Sequence, residues 1–159
     1  LNAYYVYAEE RFAALFPDKA TDVGGIKDLI SAEFYNPDKK MFRAYKGEEN
    51  YTEFANAMAI LIGVGDKTVA REIAEGKAKK ATLAAAAYVY DALLSYGDEF
   101  KDRVLSEIDD NYKKMLDAGA TSFWETLEGV TENESSCSLC HGWSALPIYY
   151  YDVTGKIKY

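Results

Sequence analysis

The 159-residue chain carries 18 Lys and Arg against 26 Asp and Glu, a formal charge of −8, and 49% of its residues are hydrophobic. A chain of this length and composition buries a real core and reads as one domain over residues 1–159, not as a disordered tract. The acidic balance works against nucleic acid and membrane surfaces, whose binding needs clustered cations to release counterions; neutral ligands meet no such penalty.

Leu1, Tyr4, Tyr5, Ala8, Phe12 and Leu15 fall at helix-face intervals and predict an amphipathic first helix, which Pro17-Asp18 stops. Helical spacing is under way at Leu1 with no capping lead-in, as expected of a piece cut from a longer chain. A second helix is predicted from Gly25 through Ile26, Leu29 and Ile30 to Phe34, ending at Asn36-Pro37. Met41 to Tyr45 then alternates briefly before Lys46-Gly47, which predicts a short β-hairpin near residues 38–52.

From Phe54 to Ile62 the chain is apolar nearly all round, whereas the next helix, opened by Asp66 and closed by Gly76, offers only Val69, Ala70, Ile73 and Ala74. The alternation recurs. Thr82 to Tyr96 is Ala-rich and apolar on most faces, and the helix that starts at Gly97-Asp98 carries one stripe of Phe100, Val104, Leu105, Ile108, Tyr112 and Met115. Gly119 ends that stripe, a loop with Glu128, Glu132 and Glu134 follows, and a last apolar helix is expected over Trp143 to Tyr151. Buried and amphipathic helices taking turns across short connections favour an all-α fold of antiparallel hairpins in two layers, an arc of a helical toroid; an ordinary helical bundle is the alternative. No run of about 18 apolar residues could span a bilayer.

Most of the chemistry is concentrated in two tracts. Cys137-Ser-Leu-Cys140-His141-Gly142-Trp143-Ser144 contains both cysteines and the sole histidine, and Trp124-Glu125 lies shortly before it. C-x-x-C-H is the spacing that tethers a c-type haem, but Met41, Met58 and Met115 all lie upstream and no second histidine exists. Structural zinc needs four ligands, and only Cys137, Cys140 and His141 stand close together. Haem and zinc are therefore the less favoured readings. A carboxylate beside a bulky aromatic and near a lone histidine fits a general base, and tryptophan offers a platform for the C–H faces of a sugar ring. The bland alternatives are a solvated acid and two core tryptophans. Asn133-Glu134-Ser135 has the spacing of a glycosylation sequon, which chance accounts for.

Gly119-Ala-Thr-Ser-Phe-Trp-Glu125, followed by Ser138-Leu-Cys-His-Gly-Trp-Ser-Ala-Leu-Pro147, resembles the closing part of the catalytic domain of bacterial α-L-rhamnosidases. The similarity extends less distinctively over the Asn-containing helix at Phe54 to Ile62 and the helix before Gly119. It implies the C-terminal part of a six-hairpin, (α/α)6 double-layered toroid that hydrolyses terminal α-L-rhamnose with inversion, through a carboxylic acid and a carboxylate base. The resemblance implies no metal or organic cofactor. Glu125 matches the glutamate taken as that base, His141 matches a histidine lining the sugar subsite, and Trp124 and Trp143 lie within the same motifs as further substrate-binding candidates. The family's acidic motif has no counterpart between Leu1 and Asn111, so the chain alone is expected to be inactive and, with apolar seam surface exposed, to self-associate. Ser122 stands where the family usually has threonine, and Leu146 where glycine is common. Two rivals remain: a non-catalytic helical interaction or carbohydrate-binding domain, and the c-type haem protein.

Overall fold

The computed structural model of the chain describes residues 2–129 and 137–157. Among the described residues the protein is mostly helical, with seven α-helices and one small antiparallel sheet. In chain order these are α1 (Asn2–Leu15), α2 (Gly24–Phe34), β1 (Tyr35–Asn36), β2 (Met41–Phe42), α3 (Glu53–Leu61), α4 (Lys67–Ala74), α5 (Leu83–Leu94), α6 (Lys101–Asp117) and α7 (Pro147–Val153).

Local chemistry sets the boundaries. Thr52 caps α3 by accepting the Ala55 amide, and Asp66 caps α4 by accepting those of Thr68 and Val69, which satisfies donors that have no partner inside the first turn. The hairpin begins earlier than the alternation at Met41 predicts. Its register pairs Tyr35 with Phe42 and Asn36 with Met41, because the Asn36 side chain accepts the Asp38 and Lys39 amides and turns the chain there. Beyond Phe42 the chain turns again toward Gly47, so Ala44 and Tyr45 lie outside the sheet. The last helix also differs from expectation: Gly142–Ser144 forms a 3-10 turn and α7 starts at Pro147, whose ring suits a first helical position. Likewise Gly97–Phe100 is a 3-10 turn ahead of α6.

Helix α3 sits at the centre, packing on α1, α4 and α5. Helix α5 in turn packs on α4, α6 and the 142–144 turn, and Tyr150 of α7 bonds the Ala87 carbonyl and the Asp91 carboxylate of α5. Each odd-numbered helix thus touches the next odd-numbered one, while α2 lies against α1, α4 against α3 and α5, and α6 against α5 and α7. Fully buried Ala57 and Ala92 contribute no bulk between the central helices. The predicted stripe of α6 is buried at Phe100, Val104, Ile108, Tyr112 and Met115, with Leu105 only half-buried.

Two apolar faces fall differently from the periodicity. On α1 the one fully buried residue is Val6, whereas Tyr4, Tyr5, Phe12 and Leu15 are exposed, and on α2 Leu29 is exposed while Ile30 is buried. Hydrophobic spacing marks an apolar stripe but not which side meets the neighbours, and α1 turns Val6 toward the core. On α4 the buried set is Val69, Ala70, Glu72 and Ile73, with Ala74 half-buried.

Nor is α3 purely apolar inside, since Glu53 and Asn56 are both completely buried. Asn56 accepts the Phe42 amide at 2.7 Å and donates to the Phe42 and Thr52 carbonyls at 3.0 and 2.9 Å, which welds the sheet to α3. Glu53 accepts the Ala81 amide at 2.9 Å and faces Lys80 and Arg103 at 3.4 and 3.5 Å; both cations also bind Glu107. Burial opposes ionisation of Glu107, but Lys80 and Arg103 outweigh it and hold its carboxyl below the ordinary value.

Replacing Asn56 by Ala strands the amide and carbonyl of buried Phe42, an expected cost of about 2 to 4 kcal/mol in urea unfolding. Because the folded-state pKa of Glu107 is depressed, its contribution is complete above the ordinary value of 4.5 and is lost as pH falls below it. Urea midpoints measured from pH 7 to pH 3 should therefore fall less steeply for Glu107→Gln than for the wild type, and parallel acid limbs would contradict this assignment.

Candidate functional site

The segment from Phe123 to Glu125 belongs to no helix or sheet, so its backbone groups need partners from elsewhere. The segment from Ser138 to Ser144 supplies them. The Glu125 amide donates to the Ser138 carbonyl at 2.8 Å, and the His141 amide donates to the Phe123 carbonyl at 2.7 Å, so the two segments run antiparallel. The Trp124 carbonyl accepts the Ser144 hydroxyl at 2.5 Å, and the Glu125 carbonyl accepts the Trp143 indole N–H at 3.3 Å.

An unbroken antiparallel ladder through the Glu125–Ser138 bond would bring the Cys140 amide to the Phe123 carbonyl. His141 takes that place, so the second segment holds one residue more than the first, as in a β-bulge. The Ser138 hydroxyl bridges the amide and carbonyl of Cys140 at 3.1 and 2.9 Å and absorbs the extra residue. The bulge delivers the imidazole to the carboxylate: His141 Nδ1 lies 3.9 Å from Glu125 Oε2, an ion pair when the ring is protonated.

Glu125 Oε2 also accepts the Ser138 amide at 2.8 Å, which fixes the position of the carboxylate. Its side chain remains 27% exposed and that of His141 31%, so both are open to solvent and to a ligand. Trp143 stacks on His141 with ring centroids 3.7 Å apart and is itself exposed. All four sequence-predicted residues therefore occupy one cluster, but Trp124 sits differently. Its indole is half-buried against the core and against Gly129, leaving His141, Trp143 and Glu125 as the open rim.

Two contributors, Ser144 and Tyr112, carry no sequence signal for their role here. Buried Ser144 ties the loop to Trp124 and, through its carbonyl, to the Tyr112 hydroxyl of α6, whose proton burial holds on up to about 12. The Ser122 hydroxyl donates to the Leu139 carbonyl. Leu146 packs against the core with φ −84°, a backbone any residue adopts, so its side chain fills space at the head of α7. Glu128 is exposed; Glu132, Glu134 and the Asn133-Glu134-Ser135 sequon lie outside the described residues.

Cys140 is exposed and Cys137 half-buried, and among the described residues no group of three or more His, Cys, Asp and Glu is placed to hold a metal ion. No described helix is long and apolar enough to cross a membrane. No family model, curated protein or solved structure matches the chain.

Gly129 offers a direct test of how the loop holds Trp124. It has φ +65°, and an added Cβ would stand 2.8 Å from the indole ring. Gly129→Ala should therefore cost about 1 to 3 kcal/mol through left-handed strain and overpacking, and shift the tryptophan fluorescence. An unchanged melting temperature and spectrum would mean that the indole does not rest there.

Proposed function

We propose that the chain is part of an inverting glycoside hydrolase resembling α-L-rhamnosidases, with Glu125 as the general base. The observation that carries this reading is the Glu125 carboxylate, fixed by the Ser138 amide at 2.8 Å with the His141 imidazole 3.9 Å away. A carboxylate fixed in place and open to solvent suits removal of a proton from a water attacking the anomeric carbon. His141 and the exposed face of Trp143 suit the rim of a sugar subsite, where hydroxyls meet the imidazole and ring C–H groups meet the indole. Trp124 supports that rim from behind.

Inversion requires an acid roughly 6.5 to 9.5 Å from the base, leaving space for the water. We assign that acid to a segment outside residues 1–159, so this chain by itself would bind sugar weakly and turn over none. Successive contacts of α1 with α3, α3 with α5 and, through Tyr150, α7 with α5, with α2, α4 and α6 against them, support an arc of a six-hairpin toroid. In the complete polypeptide, Glu125→Gln should lower kcat on an aryl α-L-rhamnoside by about a hundredfold or more. Equal turnover would remove Glu125 from the base role.

A second reading, a non-catalytic carbohydrate-binding domain, is favoured by the exposed Trp143–His141 stack, which offers a platform without needing an acid. Under it, rhamnoside binding by the complete polypeptide falls with Trp143→Ala but is indifferent to Glu125→Gln, and no turnover is found at all.

An arc also explains the aromatic and aliphatic surface at its two ends: Tyr4, Tyr5 and Leu15 on α1, and Ile148, Tyr149 and Val153 on α7. The isolated chain should self-associate in light scattering as concentration rises. A monodisperse monomer would count against the arc.

A further inference from the structure

The amino-terminal ends of α1, α3 and α5 meet at a half-open cavity of about 530 Å³, bordered also by α2, β2 and the residues after it. Its volume falls among those of small-molecule sites, roughly 300 to 1,000 Å³. Nothing in its wall comes from the Glu125–His141 cluster. Flat apolar surface dominates: Tyr4, Phe34, Phe42, Tyr45 and Phe54 all contribute.

The charged residues of the wall are Arg43, Lys79 and Lys80, and no Asp or Glu lines it. In a chain where acids outnumber bases 26 to 18, an all-cationic wall is a local reversal of charge. Two of the three cations are engaged, Arg43 with Glu49 and Lys80 with Glu107 and Glu53. Lys79 forms no ion pair among the described residues. Its backbone is held rigidly, its amide donating to the Tyr51 carbonyl at 2.8 Å and its carbonyl accepting the Glu53 amide at 2.8 Å. The cavity therefore has an apolar body, no carboxylate in its wall, and at its edge an exposed lysine with a fixed backbone and no ion pair among the described residues.

We propose that this cavity binds a small organic anion with a flat apolar body, an aryl carboxylate, its ring among the aromatic side chains and its carboxylate at Lys79. The chemistry follows from the wall: aromatic faces gain from a planar ring, and a charge-assisted bond to an ammonium separates an acid from its neutral isostere. The inference does not depend on the glycosidase reading.

The test titrates the whole chain with 2-naphthoate and with its uncharged counterpart 2-naphthamide by isothermal calorimetry. The acid should bind about tenfold tighter or more, and Lys79→Glu should abolish that preference while leaving the amide unaffected. Ala55→Phe, which places a ring in the cavity, should block both ligands. Equal affinity for acid and amide, an undiminished preference in Lys79→Glu, or no binding by the wild type would overturn the assignment. Lys79 is exposed, so its replacement leaves the fold intact and keeps the test decisive even where Ala55→Phe fails to fold.

Discussion

Three successive carbonyls and one amide, at Phe123, Trp124 and Glu125, depend on a segment more than a dozen residues later for their hydrogen bonds. That exchange is the constraint on which the candidate site rests. Leaving such groups unpaired costs far more than pairing them gains, so the two loops hold each other in place even though neither is helix or sheet. Each donor comes from a different kind of group: the His141 amide, the Ser144 hydroxyl and the Trp143 indole. Glu125 and His141 face one another because their backbones are locked, with one additional residue in the later segment setting the direction of the imidazole.

The loops are in turn anchored to the helices. Tyr112 of α6 reaches the Ser144 carbonyl, and its ring meets Phe123 edge-on at 5.8 Å. Because α6 runs against α5, with Glu107 near Lys80 and Tyr112 a further turn and more along, the clamp lies toward the amino end of α5. The aromatic cavity lies at that same end of the helices. An ion-pair cluster ties α3 to α6 and to the residues just before α5: buried Glu53 and mostly buried Glu107 share Arg103 and the exposed Lys80, and each carboxylate has a partner that a shifted packing would take away.

The helices were legible where the residues carry their own signals. Asp66 before α4, Pro17 after α1 and the stripe on α6 mark boundaries and buried faces through local capping, ring geometry and periodicity. The same reasoning missed the orientation of α1, since its aromatic residues spread around the helix and Val6 alone is buried. It also took α3 for an apolar helix, when Glu53 and Asn56 are its most deeply buried polar groups. A buried Asn is distinguished from an exposed one by the strand brought against it, and nothing within α3 announces Phe42.

What the sequence by itself determined is the helical architecture, the acidic balance, and the choice of Trp124, Glu125, His141 and Trp143 as candidate site residues, because residue type, spacing and motif order are local properties. What only tertiary structure decided is which atoms meet. The 3.9 Å approach of imidazole to carboxylate, the retreat of Trp124 behind the rim and the gathering of Arg43, Lys79 and Lys80 around an aromatic cavity all arise between segments distant along the chain. Such meetings are fixed by packing and by the need to pair buried polar groups, and those conditions are set only once the helices have met.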